Sequence, residues 1–154
     1  MSTLVIKTGL GDLRFTLLPS MAPETVAHIV KLVEAKLFDG VAKWYRSDFV
    51  IQTGLYGTSV TSPYPPLSVN ESSLSISNLP YTVSVAHHDV PDCGDSEFFV
   101  NLESNVHLDE AYGGYAVFAR AEEGDNVTRG LCGEIARRVK GGELVQIIEM
   151  TVEG

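Results

Sequence analysis

Short apolar runs separated by polar, glycine-rich links recur along the chain, a pattern that predicts strands more often than helices. Thr3 to Thr8 and Leu13 to Leu18 have strand composition, and Gly9-Leu10-Gly11-Asp12 between them supplies the residues of a hairpin turn. Ala22-Pro23-Glu24-Thr25 opens a helix, with proline suited to its first turn and Glu24 complementing the positive end of the dipole. Val26, Ile29, Val30, Val33 and Leu37 then recur at helical spacing, so one face is apolar and should cap a sheet. Asp39-Gly40 ends that segment. Trp44 to Gly54 follows as a second hairpin, in which Tyr45, Phe49, Val50 and Ile51 have strand character and Ser47-Asp48 interrupts them as a turn.

From Leu55 to Pro80 the composition shifts to Gly, Ser, Pro and Asn, a long excursion without regular structure of the kind that carries function or disorder. Tyr81 to Ala86 and Glu97 to Asn101 return to strand composition, with the polar link His87 to Ser96 on the surface between them. Phe98 and Phe99 are adjacent, so in a strand one ring faces the core and the other faces out, where a binding pocket would explain it. Leu102 to Gly114 is a loop, Tyr115 to Arg120 a strand, Val127 to Val139 an amphipathic helix and Glu143 to Val152 a final strand. The expectation is a mainly β fold: an eight-stranded antiparallel closed barrel capped by two α-helices, in a single domain spanning residues 1–154. A barrel of that size is filled by its own side chains, so a ligand is expected on the outer wall or at a mouth.

Composition narrows the function. The chain has 154 residues, 44% hydrophobic and 20% charged, and no apolar run approaches the ~18 residues of a membrane span. With 20 acidic against 11 basic residues the net charge is −9, which repels phosphate backbones, so neither nucleic acid nor membrane is an expected partner. The MSTLVIKTG start lacks the pattern of a secretory signal, and a cytoplasmic location is expected. Cys93 and Cys132 read as free thiols. His87, His88, Asp89, Asp92 and Cys93 lie close together, but their spacing matches no metal-binding motif. No metal and no cofactor is expected, and nothing requires more than a monomer.

The strongest candidate for chemistry is Arg46. Its permanently charged guanidinium stands beside an apolar and aromatic patch and the Gln52 amide, a combination able to grip a neutral, carbonyl-bearing, partly apolar ligand. Read from these residues alone, Arg46 is more readily a surface strand residue paired with Asp48.

The order of motifs decides between these readings. Thr8-Gly9-Leu10-Gly11-Asp12, Ala22-Pro23-Glu24-Thr25-Val26, Trp44-Tyr45-Arg46 with Phe49-Val50-Ile51-Gln52, Ser96-Glu97-Phe98-Phe99-Val100, and Leu108-Asp109 with Tyr115-Ala116-Val117-Phe118 together resemble the cyclophilin family of peptidyl-prolyl isomerases over nearly the whole chain. The resemblance implies that Arg46 and Gln52 are catalytic. It implies a proline pocket of Phe49, Val50, Phe99 and Leu108, and a backbone grip on the preceding residue at Ala86 and His87. Glu97, His107 and Tyr115 complete the implied substrate-binding set. Three departures from the family pattern are visible: the Ser47-Asp48 turn is two residues short, Glu97 replaces a glutamine and could pair with Arg46, and no tryptophan stands near Leu108. The last implies weakened cyclosporin binding.

The implied partners are proline-containing peptides or proteins, and the implied reaction is rotation about their X-Pro bonds. That reaction needs no nucleophile or metal, since a donor aimed at the localising nitrogen lone pair suffices. The alternative is a cyclophilin-fold module that holds a proline-containing segment of a partner without useful turnover.

Overall fold

The computed structural model describes residues 2–154. β1 (Thr3–Thr8) and β2 (Gly11–Leu17) form the first hairpin, in register from Thr3↔Thr16 to Thr8↔Gly11. Its turn is held by Thr8, whose Oγ1 accepts from Leu10 N and donates to Gly11 O. α1 (Pro23–Glu34) follows, then β3 (Trp44–Arg46) and β4 (Val50–Gly54) as the second hairpin, β5 (Thr82–Val85), β6 (Glu97–Asn101) and β7 (Val117–Arg120). α2 (Asn126–Lys140) and β8 (Ile147–Glu153) complete the chain. The loop between β6 and β7 contains two short 3₁₀ turns, Val106–Asp109 and Ala111–Gly113, where the sequence pattern predicts none.

The eight strands form one antiparallel sheet in the order β3-β4-β6-β5-β7-β2-β1-β8, and the two helices pack against it. The sheet curls but does not close as a barrel, which corrects the expectation of a closed one. β3 is only three residues long, so the edges meet through single bonds rather than a ladder. Gly40 N donates to Ile147 O at 2.7 Å, Ile147 N to Val41 O at 2.7 Å, and Trp44 Nε1 to Val145 O at 2.8 Å.

The interior is filled. Phe15, Phe38, Phe98 and Phe118 are fully buried together with Leu4, Ile6, Leu13 and Ile51. Phe98 meets Phe38 edge-on at 5.7 Å and Phe118 at 6.5 Å, the preferred geometry for aromatic pairs. α1 turns Val26, Ile29, Leu32 and Val33 to this core, and α2 turns Cys132, Ile135 and Ala136 to it. Both cysteines are free thiols. Among the described residues no helix is long and apolar enough to cross a membrane.

The helices start differently. Asp125 caps α2 locally, accepting from Thr128 N at 2.9 Å and from the Thr128 hydroxyl at 2.7 Å. α1 has only Ala22 at its cap position, and its orphan donors are met by Glu71 from the long excursion instead. Glu71 accepts from Thr25 N at 2.7 Å, Thr25 Oγ1 at 2.8 Å and Glu24 N at 3.2 Å, and is 4% exposed. Those bonds anchor a segment without regular structure to a helix that packs on the core. Glu71→Ala leaves two buried donors of Thr25 and the part-buried Glu24 N–H unmet and is expected to lower stability by about 2 kcal/mol. Urea unfolding checks this; a loss below about 0.5 kcal/mol would show that the excursion contributes nothing to α1.

Candidate active site

The β3–β4 hairpin aligns Tyr45 with Gln52 and Arg46 with Ile51. On β4 the two-residue period sends Ile51 and Thr53 inward and leaves Val50 and Gln52 half-buried on the outer wall. The turn closes tightly: Ser47 N donates to Val50 O at 3.0 Å, and Ser47 Oγ accepts from Phe49 N at 3.3 Å and Val50 N at 3.2 Å. The shortened connection therefore still brings Arg46 and Phe49 to one cavity. β6 pairs with β4 so that Phe99 lies opposite Gln52, and while Phe98 enters the core Phe99 faces the same outer wall. Ala86 N donates to Glu97 O at 2.8 Å, carrying the β5–β6 ladder one residue past the strand end and setting Ala86 and His87 beside Phe99.

The opposite wall comes from the loop after β6, which a buried polar network holds in place. Asn105 Nδ2 donates to Asn101 Oδ1 at 2.9 Å and to Phe49 O at 3.0 Å, and Asn101 Nδ2 donates to Asn78 Oδ1 at 3.0 Å. Asn78 N and Nδ2 both donate to Asp109 Oδ1 at 2.8 Å, and the Ser77 hydroxyl donates to the other oxygen. Burial opposes ionisation of Asp109, but these donors outweigh it and hold the carboxyl below its usual range. Leu108 and Tyr115 are then linked by Tyr115 N donating to Leu108 O at 2.9 Å. His87 stacks on Tyr115 at 4.3 Å, and its ring nitrogens lie 2.7 Å from Gly114 O and 2.6 Å from His88 O, joining the two loops.

The result is an open groove of about 400 Å³ on the outer wall of the sheet. Arg46, Phe49, Val50, Gln52, Ala86, His87, Phe99, Leu108 and Tyr115 line it, so it gathers every residue singled out from sequence except Glu97 and His107. His107 is exposed and meets the Phe49 ring edge-on at 5.6 Å. Glu97 lies behind the wall, fully buried, and does not pair with Arg46. Arg46 Nη2 is instead 3.6 Å from Asp48, whose side chain is 96% exposed, so the pair is weak and leaves the guanidinium available to the groove. Among the described residues Arg46 Nε is buried without a hydrogen-bond partner.

Sequence reasoning missed Tyr45, Ser47, Tyr56 and His88 as lining residues. β5 ends at Val85, so strand alternation does not extend to His87 and His88, and both line the cavity. His88 stacks flat on Tyr56 at 5.6 Å. Burial, with Asp92, Glu97 and Asp95 nearby, pushes the Tyr56 hydroxyl up to about 12, so it stays a neutral donor. Tyr56 was readable only as an isolated aromatic two residues after Gly54.

The Cyclophilin type peptidyl-prolyl cis-trans isomerase/CLD family model matches residues 3–151. The peptidyl-prolyl cis-trans isomerase cyp18 of Streptomyces antibioticus is 30% identical over 162 residues, covering 99% of this chain and 96% of the relative. A peptidyl-prolyl cis-trans isomerase of Synechococcus elongatus is 27% identical, with 99% of each chain covered. The fold matches the crystal structure of a Cryptosporidium parvum cyclophilin type isomerase in the presence of the dipeptide Ala-Pro, with a TM-score of 0.78 at 20% identity over 99% of each chain.

Burial drives the Glu97 carboxyl above the ordinary glutamate value of 4.5, against the lowering effects of the Gln52 amide, the Tyr56 N–H and Lys43. The folded state thus holds this proton more tightly than the unfolded chain, and stability falls as pH rises from 4.5 through the raised folded value. Glu97→Gln removes that loss. Its urea midpoint is expected to exceed that of the parent at neutral pH, the gap closing as pH is lowered towards 4.5; a gap independent of pH would contradict the assignment.

Proposed function

The chain belongs to the cyclophilin-type peptidyl-prolyl cis-trans isomerase family, and from that premise we propose that its outer groove rotates X-Pro bonds of protein segments, with Arg46 as the catalytic residue. The protein is a peptidyl-prolyl cis-trans isomerase. The observation that carries the site assignment is the meeting of one guanidinium with Phe49, Phe99 and Leu108 in a single open groove.

Rotation about an X-Pro bond is opposed by roughly 18–20 kcal/mol because the nitrogen lone pair is delocalised into the carbonyl. At the twisted state that delocalisation is lost and the lone pair sits on nitrogen. A donor aimed there binds the twisted state more tightly than either planar isomer, which is the condition for catalysis. Arg46 is suited to this, being charged at every working pH and only weakly engaged by Asp48. Phe49, Val50, Phe99 and Leu108 hold the proline ring while the remaining peptide turns. Removing water from the carbonyl disfavours the charge-separated planar form. Ala86 and His87 hold the residue before proline, and Gln52 orients the peptide beside Arg46. No covalent intermediate is required.

The reading requires no second copy of the chain, and a monomer is the acting unit we propose. With exposed His107 where the resemblance expects tryptophan, cyclosporin binds weakly.

Arg46→Ala is expected to lower kcat/KM on a short proline peptide by about 100-fold or more in a protease-coupled assay, the scale for loss of a preorganised donor at a developing charge. Arg46→Lys keeps the charge without the planar fork and is expected to recover only a small part of it. An alanine variant as fast as the parent would remove Arg46 from the mechanism.

A further inference from the structure

Glu97 begins β6 and none of it reaches solvent. Its two oxygens have separate partners: Oε2 accepts from Gln52 Nε2 at 3.1 Å and Oε1 from the Tyr56 backbone N–H at 3.2 Å. The carboxylate can sit there because residue 54 is glycine, where a Cβ would lie 2.5 Å from Glu97 Oε1 and 2.2 Å from Ser96 O. An ionised carboxylate only accepts, so the end of the Gln52 amide turned towards it must be the NH₂. Gln52 is also a wall of the groove, and with its NH₂ engaged by Glu97 the end of the amide left free is its carbonyl oxygen.

We propose that Glu97 is a positioning residue that locks the Gln52 amide in one orientation, so that the groove presents a carbonyl acceptor beside Arg46 rather than an NH₂ donor. The proposal rests on the reading of this groove as the isomerase site. Arg46 and Gln52 stand on paired strands, and Arg46 Nε is a buried donor without a partner among the described residues. A carbonyl oxygen turned towards the guanidinium complements it, whereas an NH₂ turned the same way sets donor against donor. Glutamine at position 97 reverses the arrangement: if its oxygen keeps the Tyr56 N–H, its NH₂ faces Gln52 and turns that amide over.

The lock is sensitive to protons. A protonated Glu97 has a donor of its own, and Gln52 is then free to turn. Burial raises the Glu97 carboxyl, which brings this change towards the working range from below. The charged and titratable groups around Glu97 and Gln52 are Lys43 on the segment before β3, Arg46 at the end of β3, Tyr56 after β4, and His87, His88, Asp92 and Asp95 on the loop before β6. All of these remain when residue 97 alone is changed.

The test is the dependence of kcat/KM on a short proline peptide between about pH 5 and pH 8, for the parent and for Glu97→Gln. The parent is expected to lose activity on acidification along a limb that the variant lacks, and the variant to be about threefold slower at neutral pH. Identical acid limbs would overturn the proposal. A second readout needs no turnover: the Gln52 side-chain amide signal, followed by NMR in the parent, is expected to shift with pH, and in Glu97→Gln to stay constant. An amide signal that ignores pH in the parent would overturn the lock, whereas absence of turnover at every pH with a titrating amide would overturn the isomerase reading alone.

Discussion

The constraint on which this structure depends is the filling of its own interior. Phe15, Phe38, Phe98 and Phe118 occupy the space that the curled sheet encloses, and no ligand can share it. Function is thereby displaced to the outside of the sheet, and the two-residue period of the strands distributes side chains between the two tasks. Phe98 completes the core and Phe99 the groove, while on β4 Ile51 goes inward and Val50 and Gln52 stay out.

An outer groove on one face of a sheet is shallow unless something builds its far side, and here the irregular segments do. Their Asn78 and Asn105, with Asn101 at the end of β6, meet the need of buried backbone and amide groups for partners, and each is at most 1% exposed. The same bonds that satisfy these groups tie Phe49, a wall of the groove, to Asp109, the neighbour of Leu108 in the opposite wall. A second set of ties runs to α1. Glu71 supplies the cap that Ala22 lacks, and His28, buried on α1, lies 2.9 Å from Asp95 in the loop that carries His87 and His88. Core helix, excursion and groove loops are therefore mechanically joined.

Much of the site was legible because its residues lie in recognisable local patterns. The Trp44 to Gly54 hairpin exposes Arg46 with its apolar neighbours, and the adjacent phenylalanines announce a second aromatic surface. Glu97 was less legible. From the chain alone its negative charge has Arg46 as an obvious partner, yet it lies behind the wall and meets Gln52 and Tyr56, because a glycine at position 54 opens space there. Tyr56 and His88 were missed because each follows the end of a strand, where alternation no longer predicts direction.

By itself the sequence determined what depends on neighbours within a few residues: the two hairpins, the proline-led start of α1, the amphipathic faces of both helices and the number of strands. Local sterics and the spacing of apolar positions are sufficient for these. Tertiary structure alone decided that the sheet stays open between β3 and β8, that a glutamate 47 residues away caps α1, and that Asn78 joins Asn101 and Asn105 behind the groove. These outcomes depend on which polar groups become buried together and must satisfy one another, and burial is a property of the assembled chain.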